Sequence, residues 1–93
     1  MSHLAWYVSV AEIVGPWTEP DWESGLVERC RRAWNKPLGE LSNEELATFL
    51  RQRIATEWVL IVAEARLQDG RDDGTEMFDG ELAEAVSHAK KNI

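Results

Sequence analysis

Ninety-three residues make one domain, and a chain of this size buries roughly 60–65% of its unfolded surface, so the core is small. Seventeen Asp and Glu against ten Lys and Arg give a formal net charge of −7, which repels nucleic-acid phosphates and anionic membranes and attracts basic partners. The single cysteine, Cys30, excludes an intrachain disulfide, and no stretch approaches the about 20 apolar residues of a membrane span, so the chain reads as soluble and cytoplasmic.

Residues 4–14 carry Leu4, Trp6, Tyr7, Val8, Val10, Ile13 and Val14. Leu4, Trp6, Val8 and Val10 alternate as in a strand, whereas Leu4, Tyr7, Val8, Ala11 and Val14 fit a helical face, so both readings stand. Gly15-Pro16 ends the segment. In residues 15–22, two prolines, Pro16 and Pro20, forbid a helix interior. Trp17 and Trp22 in this loop are read as lids on the core, with an exposed aromatic grip for a partner as the alternative.

A helix is predicted from Asp21 or Glu23 to Trp34. Trp22, Leu26, Cys30 and Trp34 recur every four residues, and Val27 and Ala33 widen the stripe. Cys30 lies inside that stripe and is read as an inert core thiol. Lys36-Pro37 stops the helix. Next comes Leu41-Ser42-Asn43-Glu44-Glu45-Leu46. Ser42 is placed to cap a helix, Glu45 to complete the capping box, and Leu41 and Leu46 to form a hydrophobic staple. The helix from Asn43 to about Arg53 buries Leu46, Phe49, Leu50 and Ile54 and carries Arg51 and Arg53 at the negative end of its dipole.

Trp58-Val59-Leu60-Ile61-Val62-Ala63 is the longest apolar run and belongs at the centre of the core. Thr56 is a candidate N-cap for a helix there. The β-branched run and Asp69-Gly70 also fit a strand and hairpin turn, so periodicity leaves the two open. Residues 69–76 form a polar acidic loop. As a calcium loop starting at Asp69 it fails, with Arg71 at the third ligand position and Gly80 where a bidentate Glu is required. Asp79 to about Lys91 reads as a helix with Asp79 as cap, Phe78 as a core anchor, and Leu82, Ala85, Val86 and Ala89 on its apolar side. His3, His88 and Cys30 are too few for a metal-ligand cluster, and no Gly-rich phosphate loop or nucleophile–base pair is present. No cofactor, metal or catalytic residue is assigned.

Several stretches together resemble a known family. They are Leu26-Val27-Glu28-Arg29-Cys30, then Lys36-Pro37-Leu38-Gly39-Glu40-Leu41-Ser42-Asn43-Glu44-Glu45-Leu46, then Gln52-x-Ile54, then an apolar segment ending near Leu67. After an acidic loop with Gly74 follows Met77-Phe78-Asp79-Gly80-Glu81-Leu82. Their order and spacing resemble the small immunity proteins of bacterial contact-dependent growth inhibition (CDI) systems, over roughly residues 22–87. The sequence departs from the family pattern at Arg51, where a glycine is usual before the glutamine. It departs again at Val59-Leu60-Ile61-Val62, where a leucine-rich, proline-bearing helix is usual.

The resemblance implies an all-α domain: a compact single-domain bundle of about four to five short helices around a central apolar helix at residues 57–68. Residues 1–20 would be an N-terminal segment and Pro/Trp loop, and 21–93 the helical core. It implies a non-enzymatic protein that binds and neutralises the C-terminal toxin domain of an exported protein. The acidic balance independently fits a basic partner, such as a nuclease. The candidate contact surface is Asp69, Asp72, Asp73 and Glu76 with Glu81 and Glu84, whose carboxylates would replace substrate phosphates. The alternatives are a solvated loop without a partner role and an acidic interaction or regulatory module unrelated to toxins.

Overall fold

The computed structural model describes residues 4–18, 24–70 and 80–91. Among these the chain is all α, as the resemblance implies. Its helices are α1 (Leu4–Tyr7), α2 (Val10–Val14), α3 (Ser24–Ala33), α4 (Asn43–Arg51), α5 (Thr56–Gln68) and α6 (Glu81–Lys91), with a 3-10 turn at Leu38–Glu40. Trp22, Phe78 and Asp79, to which core or capping roles were assigned, lie outside the described residues, as does the expected start of α3.

The open question over residues 4–14 resolves as two short helices broken at Ser9. Ser9 has extended backbone, its hydroxyl accepts from the Glu12 N–H at 3.2 Å, and the Glu12 carboxylate accepts from the Ser9 N–H at 3.1 Å. This reciprocal cap starts α2 and stops α1. A single antiparallel bridge between Ser9 and Pro37 then ties the N-terminal helices to the 3-10 turn. The Leu38 N–H donates to the Val8 carbonyl at 2.8 Å, and the Ala11 N–H to the Trp34 carbonyl at 3.0 Å. Gly15 ends α2 at φ 123°, a left-handed conformation that disfavours any side chain. Its carbonyl accepts the Trp34 indole N–H at 2.8 Å.

α3 follows its predicted stripe, with Val27, Cys30, Ala33 and Trp34 buried. Trp17 meets Trp34 edge-on at 5.1 Å between ring centres, and Trp34 meets Phe49 edge-on at 6.1 Å. Trp17 is therefore a lid on the core, half-buried. The Ser42 capping box forms as the sequence predicts, with bonds of 2.9 and 3.1 Å to Glu45, and Leu41 and Leu46 are both buried.

Two boundaries differ from the sequence reading. α4 stops at Arg51 because Arg53 turns to φ 58°, and Ile54 packs on the core from the turn and not from the helix. Thr56 is not the cap of α5 but its first residue. Ala55 holds the cap position at φ 49° and makes no side-chain cap bond. The two left-handed residues reverse the chain within a few positions and draw Thr56 into the first turn.

α5 is the central helix: it touches α1, the 3-10 turn, α4 and α6. Val59, Leu60, Val62 and Ala63 are buried, and each fully buried Val or Leu stabilises the fold by about 1.5–3 kcal/mol. The enclosure is incomplete, since Ile61 is 39% exposed and Trp58 only partly covered. α6 lies against α4 and α5 through Leu82, Ala85, Val86 and Ala89.

Candidate partner-binding surface

The acidic stretch begins where α5 ends. Asp69 continues the helical conformation, and its N–H donates to the Ala65 carbonyl at 3.1 Å. The Gly70 N–H closes a turn onto Leu67 at 3.1 Å, and both Asp69 and Gly70 are exposed. Asp72, Asp73 and Glu76 lie outside the described residues. Glu84 is exposed on α6, beside a shallow depression shared with Arg51, Ala85 and His88.

Glu81 is a correction to the surface expected from the sequence. It is 1% exposed, and its carboxylate accepts from Arg51 Nη1 at 2.7 Å. A carboxylate in that position pins α6 to the end of α4 and is not part of the accessible acidic surface. The spacing carried the signal: Glu81, Ala85 and Ala89 recur every four residues on the face that α6 buries. Arg51 supplies the countercharge.

Much of the segment from Lys36 to Leu46 holds the fold together. Leu38 and Leu41 are buried on either side of Gly39. A Cβ on Gly39 would lie 2.6 Å from Trp6 Cδ1 and 3.0 Å from the Trp6 carbonyl oxygen, so only glycine lets α1 approach this closely. Asn43 is buried, and its Oδ1 accepts from Arg66 Nη1 at 2.9 Å, while Arg66 Nη2 reaches the Gly39 carbonyl at 3.3 Å. Arg66, buried inside α5, thus stitches the central helix to this segment. Sequence reasoning missed Arg66 because a lone arginine near a helix end reads as a dipole partner.

Beside Gly39 the surface opens into a groove of about 470 Å³ lined by Trp6, Tyr7, Pro37, Gly39 and Glu40. Tyr7 is 75% exposed, the most accessible large apolar side chain among the described residues. Cys30 is buried, and that burial raises its thiol above the usual value near 9.0, against a smaller opposing effect of Arg29. It stays protonated at neutral pH and fits the inert role read from its stripe. Among the described residues no three His, Cys, Asp or Glu side chains gather as metal ligands, and no helix is long and apolar enough to cross a membrane.

The family of CDI immunity proteins matches residues 14–93. This chain is a CDI immunity protein. No curated protein and no solved structure matches it. The matched region includes the Lys36–Leu46 segment, α4, α5 and α6, the parts of this immunity protein whose burial and bonding hold the fold together. Its function is toxin immunity, and its partner is the cognate toxin. The exposed aromatic groove, Asp69 and Glu84 remain as surface that the fold does not consume.

Proposed function

We propose that this immunity protein neutralises a basic toxin domain, a nuclease carried at the C-terminus of an exported protein, by covering the groove that takes substrate phosphates. The observation that carries this reading is the charge: −7 on 93 residues. A surface of that sign is complementary to a protein that binds nucleic acid, and complementarity speeds encounter and selects the partner. The contact carboxylates are Asp69, Asp72, Asp73 and Glu76, with Glu84 on α6. Glu81 contributes indirectly, by holding α6, which carries Glu84, against α4. The whole chain acts as one domain, works in the cytoplasm and performs no chemistry of its own.

The test pairs binding with protection. The immunity protein is co-expressed with the C-terminal domain of the exoprotein encoded immediately upstream. Co-purification, rescue of growth, and suppression of nucleic-acid cleavage by the purified toxin are expected together. A stable complex that protects cells from a toxin without nuclease activity would overturn the nuclease assignment. A complex that leaves the toxin's active groove open to substrate would overturn occlusion.

A further inference from the structure

We infer that the groove between α1 and the 3-10 turn, lined by Trp6, Tyr7, Pro37, Gly39 and Glu40, is a docking cleft for a lysine or arginine side chain of the cognate toxin. This inference rests on the toxin being basic, as proposed above, and adds a second contact site, on α1 and the 3-10 turn.

Three observations on this surface converge. First, it carries two aromatic side chains: Tyr7 is 75% exposed and Trp6 lines the wall. Tyrosine and tryptophan give large, rigid contact area at small entropic cost and dominate binding hot spots. Second, the groove is held in shape. The Ser9–Pro37 bridge, the 2.8 Å bond from Leu38 N–H to the Val8 carbonyl and the Glu40 N–H bond to Pro37 at 2.9 Å fix both walls. The approach of Trp6 to Gly39 leaves no space for even a methyl group. A preformed cleft loses little freedom on binding.

Third, the one charged group on the groove is unspent. Glu40 is exposed, and its carboxylate has no ion pair or hydrogen bond among the described residues. By contrast, Glu12 is held by the α2 cap, Glu45 by the α4 cap, and Glu28, Glu64 and Glu81 by basic side chains. A free carboxylate beside an exposed aromatic ring on a protein of charge −7 is complementary to a cation with an alkyl stem. The ring face takes the charge, the proline and glycine surface takes the stem, and the carboxylate closes the pair.

The experiment is calorimetric titration of the purified toxin domain into the wild type, Tyr7→Ala, Tyr7→Phe and Glu40→Gln, with circular dichroism to verify folding. Both residues are exposed, so folding is expected to survive. Tyr7→Ala and Glu40→Gln are each expected to raise Kd about 10-fold, while Tyr7→Phe, which keeps the ring face, stays within about 2-fold. The salt dependence of Kd is expected to be shallower in Glu40→Gln. Tyr7→Ala and Glu40→Gln both binding within about 2-fold of a tightly bound wild type would overturn this inference and leave toxin immunity intact. A wild type that does not bind the toxin domain at all would overturn the proposed function, and this inference with it. Light scattering adds one further outcome. A wild-type dimer dissolved by Tyr7→Ala with toxin affinity unchanged would show that the groove holds a second copy of this chain, which also overturns the assignment.

Discussion

At Gly39 one missing methyl group decides how closely the N-terminal helices approach the rest of the molecule. The nearest atoms to an added Cβ are Trp6 Cδ1 at 2.6 Å and the Trp6 carbonyl oxygen at 3.0 Å. A side chain alone would swing away, but the backbone oxygen moves only if α1 moves. α1 is fixed through the Val8–Leu38 bond and the Ser9 cap. Gly39→Ala is therefore expected to destabilise the protein by about 1–3 kcal/mol, read as a lower midpoint in urea denaturation. An unchanged midpoint would mean that α1 is free to shift and does not depend on this contact. The residue scale also explains why Asn43 and Arg66 are buried together. A buried guanidinium is tolerated only with its donors satisfied, and Asn43 and the Gly39 carbonyl accept two of its bonds.

At the scale of elements, α4 and α6 share the most extensive contact among the described residues, held by both apolar and ionic contacts. Arg51 is 38% exposed, but the Glu81 carboxylate that it serves is 1% exposed. Truncating the arginine leaves a buried acid with one donor fewer, which costs more than the pair contributes when intact. Arg51→Ala is expected to lower stability by about 1–3 kcal/mol, with Arg51→Lys recovering part of it, in chemical denaturation at neutral pH. Equal stability of wild type and Arg51→Ala would show that Glu81 is satisfied without it.

The elements were legible to different degrees for physical reasons. α3, α4 and α6 were readable because each carries a one-sided apolar stripe, and α4 also has a capping box and staple in adjacent positions. α5 was not readable from periodicity, since a helix covered on several sides has no polar face to set a period. Residues 4–14 carried a capping box at Ser9 and Glu12, but the alternating apolar residues around it masked the signal. The turn at Arg53 and Ala55 had no glycine to announce its left-handed backbone, so the end of α4 and the start of α5 were misplaced. Among the candidate contact carboxylates, sequence could count charge but not burial. Asp69 and Glu84 are exposed, whereas Glu81 faces inward because its side of α6 packs on α4.

Across the whole molecule, net charge and the local position of charge make separable contributions to association. The Cα radius of gyration is 12.3 Å, and at 0.1 M salt the field of an exposed charge fades over about 10 Å. A carboxylate on the far side of the protein is thus largely screened from an approaching toxin, while one at the contact is not. Two double variants make the comparison at constant overall charge. Asp72→Lys with Asp73→Lys reverses the proposed contact, and Glu28→Lys with Glu57→Lys reverses two exposed acids on α3 and α5. Stopped-flow association with the toxin domain is measured for each from low to physiological salt. If the acidic stretch meets the toxin, the first pair is expected to slow association by about 10-fold or more at low salt and to flatten its salt dependence. The second pair should cost only the smaller effect of altered net charge. Equal slowing by both pairs would show that steering comes from the molecule's total charge and that the contact lies elsewhere. Little effect from either would remove electrostatic complementarity from the mechanism, and immunity would then rest on shape and apolar contact.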